Sequence, residues 1–436
     1  MEIRPFKALR FDAAVVGDAG DCVAPPYDVI DEQMQEVLYA RNPCNVVRLI
    51  LGAERPDDDE KENRYSRAAQ FLAEFIAGGA LKAEAAECMY AYVQDFDAGG
   101  RHYRRSGLVA LGKLSDFGSG VQPHERTLEG PKADRLKLTR ATGAQFGQIF
   151  MLYDDPEKTA ENIIAGAAAR PALLDFDDDN GVRHRLFLID DTGDIGALTE
   201  MMADKMVVIA DGHHRYETAL NYYAETGNPA AQYRMMTFVN MRNEGLIVLP
   251  THRLVSNLAG FDIADLIGKI QEGFEVVPFP FNDDDGKAAA RRAMFEKTSE
   301  LGGKGANAFG IYAASGCFYA AALREPALME ALCPQMSRAA RTLDVNILHK
   351  LVLEQILGIG DMELAGQSHV EYIKDIGDAI DRAIAKVDSG AAQAVFFMNP
   401  TRVEQVKAVA AAGEKMPQKS TFFYPKMFAG LVINKL

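Results

Sequence analysis

Apolar and polar positions follow two different periods along the first half of the chain. Apolar residues recur every three or four positions from Tyr65 to Ile76, which predicts a helix. Alternation in residues 88–96 and 101–114, on either side of a glycine turn, predicts a β-hairpin. Residues 172–190 predict a second hairpin with its turn at the sequence DDDNG. Shorter patterns predict strands at residues 2–11, 45–51 and 245–250 and a helix at residues 32–40.

The pattern changes after Leu254, where amphipathic helices alternate with short apolar strands. The predicted helices are residues 262–273, 286–297, 343–357 and 376–387, and the predicted strands are residues 306–314, 317–323 and 391–398. We therefore predict an α/β (α+β) protein with a boundary near Val255. Residues 1–255 would form the core, and residues 256–436 would form a C-terminal α+β domain that closes the site.

Composition narrows the class of protein. The chain has 436 residues, 48% of them hydrophobic and 25% charged, an ordinary globular mixture with room for two or three domains. No apolar run approaches the roughly 20 residues of a membrane helix, and the five cysteines form no CxxC pair. We expect a cytoplasmic protein with no membrane partner. The net charge of −15 also predicts no nucleic-acid partner, because an acidic surface repels phosphate backbones.

The densest ionisable chemistry follows an apolar strand predicted at Val207–Ile209, in the sequence ADGHHRYETAL. A strand–turn–helix junction leaves backbone N–H groups at the start of the helix, and these together with the helix dipole form an anion site. Asp211 is predicted to cap the helix and to act as a general base on a substrate hydroxyl. We predict that Asp211, His213 and Glu217 are catalytic and that Gly212, His214 and Arg215 hold phosphate groups. An ordinary capped helix with an exposed polar side is the alternative interpretation.

Two adjacent histidines do not by themselves make a metal site. Neighbouring helical side chains point about 100° apart, so His213 and His214 do not naturally chelate one ion. The spacing H-x-x-x-H is absent. We expect no metal held by protein ligands alone, and a Mg²⁺ ion held partly by nucleotide phosphates, because Mg²⁺ needs few protein ligands.

Four other polar segments supply candidate ligands. HERTLEGPKADRL is a dense charged loop, VAPPYDVI is a stiff turn, and QKSTFFYPK is a lysine-bearing loop. PTHRLV ends a predicted strand, where α/β folds place ligands. The predicted cofactor ligands in these segments are Lys132, Arg135, Thr251, His252 and Arg253, and the predicted substrate ligands are Tyr27, Asp28, His124, Glu125, Lys419, Ser420 and Thr421. Lys426 is a further candidate anion ligand. The same patterns would also be given by solvated loops, by a strand edge with a solvated arginine, and by a rigid turn.

The motif DGHHRYETA resembles the signature of the ParB and sulfiredoxin superfamily. Its sequence is similar to the corresponding motif of the free serine kinases in that superfamily. The resemblance implies a nucleotide-binding core with insertions, phosphate binding by His213, His214 and Arg215, and activation of a serine hydroxyl by Asp211. Sulfiredoxin's catalytic cysteine would stand where His213 stands, so sulfiredoxin chemistry is not expected. Segments spread over nearly the whole chain, among them RPFKALRF, VAPPYDVI and MPQKSTFFYPK, resemble the family catalogued as domain of unknown function ten-fifteen.

These patterns predict transfer of a phosphoryl group from ATP or ADP, with Mg²⁺, to a small hydroxyl compound such as free serine. A phosphatase or nucleotide hydrolase at the same anion site would release phosphate without an acceptor. A nucleotide-binding switch would bind tightly and turn over slowly, and an enzyme acting on a phosphorylated sugar or amino acid would hold its substrate's own phosphate there. All four interpretations assume that the motif segments meet in space. The sequence leaves the oligomeric state open.

Overall fold

Strands and helices alternate along the chain. The computed structural model describes residues 1–125, 127, 129–366 and 368–436. In chain order the strands are β1 (Ile3–Arg4), β2 (Leu9–Phe11), β3 (Leu81–Ala83), β4 (Met89–Ala98), β5 (Arg101–Lys113), β6 (Val121–Pro123), β7 (Ala144–Gln145), β8 (Ile149–Tyr153), β9 (Leu174–Asp177), β10 (Arg183–Ile189), β11 (Val207–Asp211), β12 (Tyr233–Asn240), β13 (Ile247–Leu249), β14 (Thr251–Val255), β15 (Phe274–Pro280), β16 (Ala308–Tyr312), β17 (Cys317–Leu323), β18 (Val370–Lys374), β19 (Ala394–Met398), β20 (Phe422–Tyr424) and β21 (Asn434–Lys435).

The helices are α1 (Ala13–Val16), α2 (Glu32–Arg41), α3 (Val47–Ile50), α4 (Arg64–Ala77), α5 (Glu129–Thr142), α6 (Thr159–Ala168), α7 (Thr192–Ala203), α8 (His213–Thr226), α9 (Ile263–Gly273), α10 (Asp284–Gly303), α11 (Ala327–Leu332), α12 (Arg338–Arg341), α13 (Asp344–Ile347), α14 (Asp361–Gly366), α15 (Ala379–Asp388) and α16 (Val403–Ala411). Short 3-10 helices lie at Ala19–Cys22, Tyr27–Val29 and Pro229–Gln232, and a π-helix lies at Leu348–Glu354.

Helix α4 shows how local sequence fixes an element. The side chain of its N-cap, Asn63, accepts the backbone N–H groups of Tyr65 and Ser66, and the Ser66 side chain accepts the backbone N–H of Asn63 in return. This reciprocal capping box satisfies donors that the helix itself leaves unpaired. Three residues at helical spacing are buried, namely Ala68, Leu72 and Phe75. The helix predicted at residues 65–76 is therefore confirmed.

The first of two compact units is formed by the described parts of residues 1–123, 127–247 and 423–436. Its main sheet has the strand order β6-β11-β8-β12-β5-β4-β10-β9, with β1 paired to β5. The pairs β6–β11 and β8–β12 are parallel, whereas β11–β8 and β12–β5 are antiparallel, so the sheet is mixed. Both predicted hairpins are confirmed, as β4–β5 and β9–β10. Strand β11, which leads into α8, lies between β8 and β6, the first strand of this order.

The second unit is formed by His124, Glu125 and the described parts of residues 248–422. Its six strands follow the order β15-β17-β16-β19-β14-β18, and every pair is antiparallel. The predicted strands 306–314, 317–323 and 391–398 are confirmed as β16, β17 and β19. The division of the chain at Val255 stays a prediction.

The strand predicted at residues 45–51 is wrong, because this segment forms helix α3. Asn45 explains the difference. Its buried side chain donates to the carbonyl groups of Asp21 and Val23 and accepts the backbone N–H of Val47. A buried amide that binds the backbone two residues ahead starts a turn, and that local contact outweighs the strand preference of the two valines.

Two other predicted elements are interrupted. The strand predicted at residues 2–11 divides into β1 and β2, and β1 ends at the residue before Pro5, which has no N–H to donate to a ladder. The helix predicted at residues 343–357 begins as α13 and continues as the π-helix.

The mixed α/β fold class is confirmed. Among the described residues, no helix combines the length and the apolar character needed to cross a membrane.

Candidate functional site

The junction of β11 and α8 gives the predicted motif its geometry. Gly212 follows the last residue of β11 and takes a φ of 94°, in the left-handed region where glycine is favoured. Gly212 is the N-cap of α8 and gives no side-chain capping bond, so the prediction that Asp211 caps this helix is wrong. A Cβ atom at position 212 would lie 2.9 Å from the Arg215 guanidinium. The glycine therefore lets Arg215 fold back over the start of its own helix.

The Asp211 carboxylate lies between two cations. Its Oδ1 accepts a hydrogen bond from Lys426 Nζ at 2.5 Å, and its Oδ2 accepts one from Arg215 Nη2 at 2.7 Å. Burial alone would raise the pKa of Asp211, but the charges of Lys426 and Arg215 outweigh burial and hold that pKa well below its usual value. The side chain is 19% exposed. Asp211 is therefore an ionised hydrogen-bond acceptor that is partly open to a ligand.

Lys426 reaches this carboxylate because buried side chains of the β4–β5 hairpin hold its segment. Arg105 Nη1 donates to the carbonyl of Tyr424 at 3.0 Å, and Arg105 Nη2 donates to the carbonyl of Pro425. Gln94 donates to the carbonyl of Lys426 at 3.0 Å and accepts a bond from Arg105. Arg105 is fully buried. Core side chains of the hairpin therefore place a lysine from the end of the chain at the start of α8.

Glu217, one turn further along α8, has cationic and hydroxyl partners of its own. Its carboxylate accepts Lys132 Nζ at 3.0 Å and Thr127 Oγ1 at 2.9 Å. Both partners come from the charged segment HERTLEGPK. Because Glu217 and Lys132 neutralise each other, the pair adds little net charge to this end of the unit.

A pocket of about 60 Å³ lies in the same unit. The charged and aromatic side chains that line it include Tyr27, Arg135, Arg215 and Arg234. The Tyr27 ring stacks on the Arg135 guanidinium, 4.0 Å from ring centroid to Cζ. Arg135 is paired with Asp134 at 2.5 Å, and Arg215 is paired with Asp211. A volume of this size accepts a few water molecules or one small anionic group.

Arg234 differs from the other two arginines of this pocket. It is buried, its Nη2 donates to the carbonyl of Gly147 at 2.8 Å, and its Nε has no hydrogen-bond partner. Burial and the neighbouring Arg215 lower the pKa of Arg234 to about 9. Within the part of the chain that the structure describes, no carboxylate pairs with it. A buried cation without a counter-charge is costly, and an anionic ligand would remove that cost.

In the second unit, His124 and Glu125 hold a loop that contains three predicted substrate ligands. His124 Nε2 lies 2.8 Å from Thr421 Oγ1, and Glu125 Oε1 accepts the backbone N–H of Lys419 at 2.5 Å. The Ser420 hydroxyl donates to a carbonyl of the same loop at 2.6 Å. Lys419 has a φ of 56°, which residues other than glycine rarely adopt. Both hydroxyl groups predicted to bind substrate therefore already have partners, that of Ser420 within the loop and that of Thr421 in His124.

Thr251, His252 and Arg253 are the first three residues of an inner strand of the sheet and do not end a strand. They belong to β14, which pairs with β18 on one side and β19 on the other, and all three are buried. His252 Nδ1 accepts a backbone N–H of β19 at 3.1 Å, and its ring packs edge-on against Phe397 with centroids 5.4 Å apart. The expectation that these residues end a strand is therefore wrong, and so is the alternative of a strand edge with a solvated arginine.

Metal ligands are not clustered. Among the residues described, no group of three or more His, Cys, Asp or Glu side chains is arranged to hold a metal ion. His213 is buried and His214 is half-buried on α8.

A family model whose description is Protein of unknown function (DUF1015) matches residues 3–346. The chain belongs to the DUF1015 family. A search of curated proteins found none that matches this DUF1015 chain.

Solved structures give distant likenesses to the DUF1015 chain. A free serine kinase in complex with AMP is 14% identical with a TM-score of 0.36, over 73% of this chain and 89% of the other. A conserved hypothetical protein from Pyrococcus furiosus is 16% identical with a TM-score of 0.34, over 74% of this chain and 94% of the other. C-terminally truncated SbnI from Staphylococcus aureus is 10% identical with a TM-score of 0.31, over 73% of this chain and 84% of the other.

The predicted ligands of this DUF1015 protein fall into two sets, one in each unit. The first unit contains Tyr27, Asp28, Lys132, Arg135 and the α8 motif, and the second contains His124, Glu125 and residues 251–253 and 419–421. Tyr27, Arg135 and Arg215 meet at one pocket, whereas Asp28 is exposed.

Sequence reasoning did not identify three residues of the candidate site, namely Gln94, Arg105 and Arg234. Their common signal is a polar side chain inside an apolar strand, in AYVQDF, in YRRSGLVAL and in YRMMTFV. Such residues are seldom buried unless they have partners to bind.

Proposed function

We propose that this protein transfers a phosphoryl group from ATP or ADP to a small hydroxyl compound, with free serine as the first acceptor to test. The start of α8 and the arginine pocket of the first unit would form the nucleotide-phosphate site. The observation that carries the proposal is the Asp211 carboxylate held between Lys426 and Arg215 at a helix start. The same unit contains Arg234, for which no carboxylate partner is found among the described residues.

Charge supports phosphate as the ligand. The whole chain carries a net charge of −15, yet the pocket is lined by three guanidinium groups. One of them, Arg234, has no carboxylate partner among the described residues. Guanidinium groups bind phosphate oxygens in a bidentate way, and the N-terminus of α8 adds the favourable end of a helix dipole.

The ion pairs of Asp211 suggest how binding would prepare the acceptor. Phosphate oxygens that attract Arg215 and Lys426 would draw these cations away from the carboxylate. Asp211 would then regain basicity, because the charges that lower its pKa would be neutralised. It would accept the hydrogen bond of the substrate hydroxyl and take its proton as the new P–O bond forms and the nucleotide's terminal P–O bond breaks.

Arg215, Arg234 and Lys426 would stabilise charge on the transferring group, the main task of sites of this class. His213 and His214 stay proposed as further phosphate contacts, and Glu217 would position Lys132 through their ion pair. Mg²⁺, when bound, supplies charge neutralisation between the phosphates. It would need few protein ligands.

Phosphorus NMR of the full chain with ATP or ADP, Mg²⁺ and L-serine tests the proposal. We expect a phosphoserine signal that grows with time, and we expect Asp211→Asn to lower its rate by at least about 100-fold. The matched control is Asp190→Asn, which alters an exposed ion pair with Arg170 in the same unit and should leave the rate unchanged.

The other products identify the competing functions. Inorganic phosphate formed at the same rate with and without serine would indicate a hydrolase. Tight nucleotide binding without any product would indicate a switch. Full turnover by Asp211→Asn would contradict the role of this carboxylate.

A further inference from the structure

The π-helix Leu348–Glu354 of the second unit is an unusual local structure. A π-helix has poorer packing than an α-helix, extended ones are rare, and single π turns are frequent at functional sites. This one presents His349 and Lys350 to a pocket of about 360 Å³. A pocket of this size accommodates a small metabolite. Polar side chains lining it include Asn346, His349, Lys350, Asp361, Tyr372 and Glu414.

The tautomer of His349 follows from its neighbour Arg253. Arg253 Nε donates to His349 Nε2 at 3.3 Å, and a guanidinium has no acceptor atom, so Nε2 must carry the lone pair. Burial, with the charge of Arg253, also lowers the pKa of His349 and keeps the ring neutral. The single ring proton of His349 therefore sits on Nδ1.

Among the described residues, no hydrogen bond of that Nδ1–H is found, and the ring of His349 bonds only with Arg253. His349 as a whole is only 5% exposed. Because His349 lines the pocket, a bound oxygen atom would satisfy it.

Tyr372 provides a second donor on the pocket wall. Its ring lies 5.4 Å from the Arg253 guanidinium, and no hydrogen bond of its hydroxyl is found within the described part of the chain. The buried charge of Arg253 lies behind both donors, so this wall favours an anion. The lining also contains two carboxylates, Asp361 and Glu414, and two lysines, Lys350 and Lys415, so its formal charges cancel. With Arg253 behind the wall, the pocket matches one negative charge better than the two of a phosphate dianion.

We propose that this pocket binds a small carboxylic acid that also carries hydroxyl or amino groups. The His349 Nδ1–H and the Tyr372 hydroxyl would donate to its carboxylate. Asp361 and Glu414 would accept from its hydroxyl or amino groups. Asp361 currently pairs with Lys350 at 3.2 Å, and Glu414 accepts the Ser337 hydroxyl at 2.9 Å.

Calorimetric titration of the full chain with L-lactate tests this site, with the neutral amide lactamide and inorganic phosphate as comparison probes. We expect L-lactate to bind, and we expect Tyr372→Phe to weaken it by about 10- to 100-fold, because one bond to a charged group is lost. Tyr372→Phe keeps the ring against Arg253 and should fold normally. The matched control is Tyr319→Phe, which removes another half-buried hydroxyl of the same unit outside the pocket.

His349 gives an independent check. His349→Gln keeps an acceptor for Arg253 and an N–H for the pocket, so it should retain most of the binding, whereas His349→Phe should lose it. The proposal is overturned if L-lactate does not bind up to about 10 mM, if lactamide or phosphate binds as well as L-lactate, or if folded Tyr372→Phe binds with unchanged affinity.

Discussion

Arg234 is the side chain that most strongly indicates an anionic ligand. A residue retained for stability alone would be expected to have a carboxylate partner, as Arg135 has in Asp134. Among the described residues, Arg234 donates to one carbonyl group and its Nε has no partner. A buried cation of this kind lowers the stability of the free protein and raises its affinity for an anion.

Arg234→Met should therefore separate binding from folding. We expect ADP affinity, measured by calorimetry, to fall by about tenfold or more, because a charge-assisted bond to phosphate is lost. The free energy of unfolding without ligand should stay the same or rise. The exposed Arg170→Met is the control. Lower stability with unchanged ADP affinity would make Arg234 a structural residue.

His252 predicts a pH dependence of stability in the second unit. Burial, and next the charge of Arg253, lower the pKa of His252 to about 3 from a usual value of 6.5. Between these values the unfolded chain binds a proton that the folded chain does not, so stability falls as pH falls from about 6.5 towards 3. His252→Phe should reduce the slope of unfolding free energy against pH by about 1.4 kcal/mol per pH unit in this window. Identical slopes in urea unfolding of both proteins would contradict the burial of a neutral His252.

At the scale of elements, the β11–α8 junction depends on one backbone conformation. The sequence ADGHHRYETAL predicts the strand, the turn and the helix, because each signal is local. The ion pair of Asp211 with Lys426, which takes the place of the predicted capping role, could not be predicted, since Lys426 lies more than two hundred positions away and is placed by the β4–β5 hairpin. In the same way, residues 45–51 satisfy a strand pattern, and only the buried contacts of Asn45 make them helical.

Gly212→Ala tests the junction against a matched position. Both Gly212 and Gly227 have positive φ, at the two ends of α8, so alanine at either should cost about 1 kcal/mol of stability. Only at Gly212 does the new Cβ meet the Arg215 guanidinium. We expect similar losses in melting temperature for the two variants, with weaker ADP binding in Gly212→Ala alone. Equal ADP affinity in both would show that the position of Arg215 does not matter for binding.

At the scale of the whole molecule, the fold class follows from the alternation of helical and strand periods over 436 residues. The division of the predicted ligands between the two units does not follow from the sequence. The second unit includes His124 and Glu125, although the residues on either side of that segment belong to the first unit. Sequence also placed Thr251, His252 and Arg253 at a strand end, whereas the sheet of the second unit makes β14 an inner strand. Strand order is decided by contacts between residues distant in sequence. The pattern of apolar and polar residues in one sequence does not show which strands pair.

The most direct test of the central claim is the melting temperature of the full chain with and without ADP and Mg²⁺. Ligand at about 100 times its Kd stabilises the native state by about 2.7 kcal/mol, which raises the melting temperature by several degrees. We predict this rise for the wild-type chain and its loss in Arg215→Ala. No rise with any nucleotide, together with a rise for a small phosphate ester, would contradict the nucleotide site and identify the start of α8 as the site of a phosphorylated substrate.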